Sequence, residues 1–211
     1  MNMKVMLVNG SPRPKGNTAL ALEEMRKVFE AAGVDTELVQ VGNKPIRGCI
    51  ACGSCADKKQ CVFDDLVNET AHIFEESDGI VIGSPVYYAS ANGTLISYLD
   101  RLFFSTQMGQ RFDKTMKVGA SVVVSRRGGL SATFDELNKY FTTNNMPVAS
   151  SQYWNSVHGL EPGEAAKDGE GMQTMRTLAR NMVFLMKSIA LGKEKYGLPE
   201  KEEGIYTHFI R

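Results

Sequence analysis

No run of apolar residues in this chain of 211 approaches the length of a membrane span. The opening run from Val5 to Val8 is broken at once by Gly10-Ser11-Pro12, too short for a bilayer-crossing helix or for the core of a secretory signal. Charge of one sign is not in excess either, since Lys+Arg and Asp+Glu both number 24. Without a basic block to neutralise successive phosphates, no nucleic-acid partner is expected, and no membrane partner. Cysteine is scarce and confined. All four residues fall between Cys49 and Cys61, leaving none to staple distant parts of the chain as a secreted disulfide framework would. The expectation is a cytoplasmic protein with local metal or redox chemistry. Hydrolytic signatures are missing as well: there is no G-x-S-x-G elbow and no H-E-x-x-H. No side chain is assigned as a catalytic acid, base or nucleophile.

What is present is an alternation of short β-rich runs with longer stretches of helical period, the pattern of βαβ units around a parallel sheet. Five strands are predicted at Lys4 to Asn9, Thr36 to Val41, Gly79 to Ser84, Lys117 to Ser125 and Val148 to Trp154. The first helix is predicted over Thr18 to Ala32, with Leu22, Met25, Phe29 and Ala32 at three-to-four spacing, a cap at Asn17 or Thr18 and a stop at Gly33. Others start near Asp64, Asn92 and Ser131. A last helix over Glu170 to Leu191 carries Met175, Leu178, Met182, Leu185 and Ile189 on one stripe, which reads as core, with a subunit interface as the rival. The fold class is α/β, and one domain is expected over residues 1–192, with 193–211 as a charged tail or arm. Two segments exceed plain connections: the Cys-rich insertion 44–62 and the polar stretch from Ser156 to Gly171.

Three loops follow predicted strands and carry chemistry. Gly10 to Thr18 joins the first strand to the first helix, a cradle for phosphate at a helix N-terminus. The hydroxyls of Ser11 and Thr18, the amide of Asn17, backbone N–H groups about Gly16 and the cation of Arg13 together satisfy a dianionic monoester. The loop lacks both the Gly-Lys-Ser/Thr ending of a P-loop and G-x-G-x-x-G spacing. The third strand runs on through Pro85, Val86, Tyr87 and Tyr88 to Asn92 and Gly93, placing aromatics and small residues where an open α/β sheet binds ligands. Such a wall suits a flat, apolar ring edged with hydrogen-bonding groups. Ser125, Arg126, Arg127, Gly128 and Gly129 close the fourth strand, the glycines permitting close approach and the arginines stabilising negative charge. The bland readings are a polar βα turn at the first loop and a solvated surface turn at the third.

Taken together these loops resemble the NADPH-dependent FMN reductase group of the flavodoxin-like superfamily, over roughly Met1 to Trp154. Cys49, Cys52, Cys55 and Cys61 read C-x2-C-x2-C-x5-C, which closely resembles the compact motif of iron-sulfur flavoproteins, a branch of that superfamily in which it binds a four-iron cluster. Four cysteine ligands are what a 4Fe-4S cluster requires. Zinc, free thiols and a redox disulfide remain as rival readings of these residues.

The resemblance implies a five-stranded parallel flavodoxin-like sheet in the order 2-1-3-4-5 with helices on both faces, and FMN held by the three loops. It further implies that NADH or NADPH delivers hydride to the flavin, and that electrons pass to a quinone, another small-molecule acceptor or the cluster. A non-enzymatic electron carrier fed by ferredoxin is the alternative. The cysteines follow the second strand, so cluster and flavin are expected as neighbours at one sheet edge. The surplus of chain beyond one sheet's needs predicts a homodimer or homotetramer.

Overall fold

The computed structural model describes residues 3–210. Strands β1 (Met3–Asn9), β2 (Val34–Gln40), β3 (Gly79–Tyr87), β5 (Val118–Ser125) and β6 (Ser156–His158) form one parallel sheet in the order β2-β1-β3-β5-β6. Counting parallel strands alone, this is the 2-1-3-4-5 order of a flavodoxin-like fold. A two-residue strand β4 (Ser90–Ala91) folds back antiparallel on the end of β3.

Helices cover both faces, and the apolar residues sort accordingly. Helix α1 (Asn17–Ala31) and helix α6 (Gly169–Tyr196) pack Leu22, Met25, Phe29, Met175, Leu178 and Met182 against Val5, Leu7, Val81 and Val122 on one face. Helices α3 (Leu66–Glu76), α4 (Gly93–Met108) and α5 (Leu130–Thr142) bury Phe74, Tyr98, Leu102, Leu137 and Phe141 against Met6, Val8, Ile80 and Ile82 on the other. β1, β3 and β5 are therefore covered on both sides, which is why they read as continuous apolar runs. The Met-rich stripe of α6 is core within this chain, with Met175, Leu178 and Met182 fully buried.

The predicted fifth strand is displaced. Val148 makes only an isolated parallel bridge to Gly119, and pairing with β5 resumes at Ser156 to His158 rather than over Val148 to Trp154. Between the two the backbone leaves the sheet, with Ser156 N–H donating to Trp154 O at 2.7 Å and Tyr153 and Trp154 exposed. The β-branched and aromatic composition that suggested a strand here decorates a loop. The stretch read as a long loop from Ser156 thus contains β6, a 3-10 turn (Glu164–Lys167) and the start of α6. Helix α6 also runs to Tyr196, past Leu191, so regular structure ends at Gly197 rather than 193. Among the described residues no helix is long and apolar enough to cross a membrane.

Candidate functional site

Parallel strands all point their carboxyl ends to one edge, and the first two predicted loops meet the strand half of the third there. Ser11, Arg13, Gly16, Asn17, Thr18, Pro85, Val86, Tyr87, Ser125 and Arg126 line one cavity of about 250 Å³, together with Val124, Gly159 and Leu160. Its floor is the N-terminus of α1. Gly16 occupies the N-cap, no side chain caps the helix, and no acidic residue stands in its first turn, so its amide dipoles face the cavity without a resident counter-charge. The hydroxyl of Ser125 is buried with no hydrogen-bond partner.

The loop is held by residues that the sequence pattern did not single out. The carboxamide of Asn9, fully buried, accepts from Ser11 N–H at 3.0 Å and donates to Gln40 at 2.7 Å, while Gln40 donates to Ser11 O at 2.7 Å. Gly42 lies behind it. A Cβ there would stand 2.2 Å from Gly10 O and 2.3 Å from the carbonyl carbon of Ser11, so only glycine lets β2's exit pass under the loop.

Asn17 was expected to cap the helix or hold the ligand, and its side chain does something else. Oδ1 accepts from Gly163 N–H at 3.0 Å and Ala165 N–H at 3.1 Å, and Nδ2 donates to Glu161 O at 3.0 Å. The carboxamide fastens the segment that brings Gly159 and Leu160 to the cavity, leaving Asn17 a backbone donor toward any phosphate.

Six expected residues lie outside the cavity lining. Tyr88 is fully exposed at the tip of the β3–β4 hairpin; with Ala89 it takes positive φ, 52° and 58°, as the primed two-residue hairpin turn demands. Non-glycine residues held there store strain, and Glu136 restrains the turn by accepting from Ser90 Oγ and from Ala91 N–H at 2.8 Å. Asn92 caps α4, its Oδ1 accepting from Thr94 N–H at 2.8 Å and Leu95 N–H at 3.2 Å, and Gly93 begins that helix. Arg127 and Gly128 are exposed. Gly129 caps α5 at φ +87°, where a Cβ would meet Val86 and Ala89 at 2.9–3.2 Å. It lets the hairpin close on α5. His158 lines a different cavity with Tyr153 and Trp154 and turns its ring toward Asp168, Nδ1 to Oδ2 3.5 Å.

The four cysteines converge on a cavity of their own. Cys49, Cys52, Cys55 and Cys61 all line one small cavity with Ile50, Phe63, Arg101 and Phe104. The α4 part of its lining, Arg101 to Ser105, lies eight to twelve residues past the start of that helix, ~12–18 Å along its axis. The two cavities have no lining residue in common. The cysteine segment follows β2 and crosses to the α4 face, where helix α2 (Cys55–Lys58) packs. Left-handed backbone at Ala51, Gly53 and Lys59 turns the segment on itself.

Ser54's backbone N–H and hydroxyl hold the exposed Cys52 thiol below its usual pKa, whereas burial pushes Cys55 up. Among the described residues no three His, Cys, Asp or Glu side chains come close enough to chelate a single metal ion. A cubane offers a separate iron to each of four thiolates. Four free cysteines around a shared cavity offer the four thiolates that a cubane requires.

The sequence profile of the NADPH-dependent FMN reductase family matches residues 3–161. An iron-sulfur flavoprotein of Methanocaldococcus jannaschii is 32% identical over 194 residues, covering 89% of this chain and 99% of that protein. An iron-sulfur flavoprotein of Methanosarcina thermophila is 28% identical, covering 92% of this chain and 100% of its own. In fold the chain is similar to the NAD(P)H:quinone oxidoreductase of Methanothermobacter marburgensis, at TM-score 0.63 and 13% identity, with 86% of this chain and 96% of that one covered.

Proposed function

The chain belongs to the NADPH-dependent FMN reductase family, and from that premise we propose that it is an NAD(P)H-dependent flavin oxidoreductase that passes electrons from a nicotinamide to a quinone or another small acceptor, with a 4Fe-4S cluster on its four cysteines. The observation that carries the reading is the cavity at the carboxyl edge, lined by residues of all three loops, onto which the uncapped N-terminus of α1 opens.

Ser11, Gly16, Thr18 and the first N–H groups of α1 are the residues to hold the FMN phosphate, with Arg13 supplying the cation. Pro85, Val86 and Tyr87 are the wall for the ring, and Ser125 and Arg126 meet its polar edge. FMN supplies the chemistry when bound: it takes up hydride and hands electrons on. The chain's part is to bind the flavin, orient it, restrict water through the 159–165 segment and bias its potential with the nearby arginine. No side chain is required to move a proton. Cys49, Cys52, Cys55 and Cys61 would hold the cluster, a one-electron centre.

Anaerobic mixing of FMN-loaded protein with NADH or NADPH tests this reading. The flavin absorption band is expected to bleach within seconds. A flavin that stays oxidised with both nicotinamides and is reduced only by reduced ferredoxin would replace the enzyme with an electron carrier.

A further inference from the structure

Arg101 sits in α4 with 1% exposure, and a buried cation persists only where its charge and its donors are met. Four donor interactions meet them, and all belong to the two ends of the cysteine segment. Nη1 donates to Arg47 O at 3.3 Å and to Asp65 Oδ2 at 2.7 Å, Nη2 to Asp65 Oδ1 at 2.9 Å, and Nε to Cys61 Sγ at 3.2 Å. The guanidinium also lies over the Phe63 ring, 5.0 Å from its centroid, and Arg47 covers the same ring at 4.8 Å. One side chain therefore ties the stretch before Cys49 to the stretch after Cys61. Nothing in the carboxyl-edge cavity uses it.

We propose that the Arg101–Asp65 pair positions Cys61 as a ligand and sets the electron affinity of the centre that the cysteines hold. The proposal rests on the reading that this centre is an iron-sulfur cluster. Hydrogen bonds to a ligand sulfur and net charge beside it are the protein's means of setting a cluster's potential. Arg101 provides a donor and a positive charge, both of which favour the reduced state. The Asp65 carboxylate offsets part of that charge. It has a second task as the N-cap of α3, where Oδ1 accepts from Val67 N–H at 3.1 Å, and Asn performs that task as well as Asp. Asp65→Asn thus removes a negative charge and keeps the helix cap, whereas Arg101→Gln removes the cation and leaves the carboxylate unbalanced.

The two changes are expected to move the cluster's midpoint potential in opposite directions: upward in Asp65→Asn, downward in Arg101→Gln, with Arg101→Lys between wild type and Arg101→Gln. General loosening of the loop would not produce that sign pattern. The experiment is anaerobic reconstitution of the four proteins with iron and sulfide, measurement of iron, sulfide and FMN per chain, and potentiometric titration followed by electron paramagnetic resonance. FMN content reports folding, because neither Asp65 nor Arg101 lines the carboxyl-edge cavity. If Arg101→Gln fails to fold, the signs for Arg101→Lys and Asp65→Asn decide. Shifts of the same sign, or none, overturn the proposal while leaving the cluster in place. A wild type that takes up no iron and sulfide overturns the cluster reading itself, and this proposal with it.

Discussion

Cys52→Ser is expected to yield a folded protein that keeps FMN and takes up no iron-sulfur cluster. Cys52 is exposed, so the exchange of sulfur for oxygen removes no core packing, and the cavity it lines shares no residue with the cavity at the carboxyl edge. What changes is ligand chemistry. Ser54 already favours the thiolate of Cys52, and the thiolate is the form that binds metal; a serine hydroxyl stays protonated near neutral pH. Loss of one of four ligands removes the complement that a cubane requires. After anaerobic reconstitution the variant should show the flavin band at wild-type intensity, iron and sulfide near zero, and undiminished bleaching by nicotinamide. A variant with a full cluster would take Cys52 out of the ligand set. A wild type without iron and sulfide would return all four cysteines to the thiol, disulfide or zinc readings.

Asn17→Ala is expected to destabilise the fold and to weaken FMN together. The side chain is 9% exposed and makes three hydrogen bonds to the backbone of residues 161–165. Truncation strands the N–H group of the buried Ala165, costing about 1–3 kcal/mol, while water takes over at the exposed Gly163. The melting temperature should fall by roughly 2–12 °C for a chain of this size. Gly159 and Leu160 would lose their anchorage over the cavity, and FMN affinity should drop at least about tenfold, equivalent to ~1.4 kcal/mol. Asn17→Asp separates the two effects. It keeps the acceptor for Gly163 and Ala165, and a carboxylate suits the first turn of a helix, but it loses the donor to Glu161 O, so stability should fall less than in Asn17→Ala. The same carboxylate repels a phosphate at that terminus, so FMN should be lost more completely than in Asn17→Ala. Equal FMN affinity in wild type and Asn17→Asp would move the phosphate to another site.

The strand positions, the helix starts and the phosphate loop were legible because their signals are local. Apolar runs bounded by Gly and Asn place β1 to β3 and β5 to within about three residues, and the Gly10 to Thr18 turn leads into a helix as read. What failed depends on contacts across the chain. Nothing near Val148 says that pairing with β5 will lapse and resume eight residues later, since the decision lies in Asn155, which is buried and whose carbonyl accepts from Val123 N–H. The role of Asn17 is set by residues about 145 positions away. Arg101 lies 40 residues from Cys61 in a helix whose periodicity marks it only as facing inward. The cysteine spacing was plain, but the path by which the segment crosses onto α4 is not encoded in that spacing. Gly42, by contrast, stands in the sequence as a glycine directly after a strand, and the loop packed against it is the reason.

The account stands most directly on the phosphate site at the N-terminus of α1, and a comparison of FMN with riboflavin tests it. The two ligands share the ring and differ by the phosphate alone. Titration of flavin-free protein, followed by quenching of flavin fluorescence, should give one FMN per chain. Riboflavin should bind at least about 100-fold more weakly, as loss of charge-assisted hydrogen bonds worth roughly 1.5–3 kcal/mol each implies. Equal affinity for the two, or no saturable binding of FMN, would contradict it.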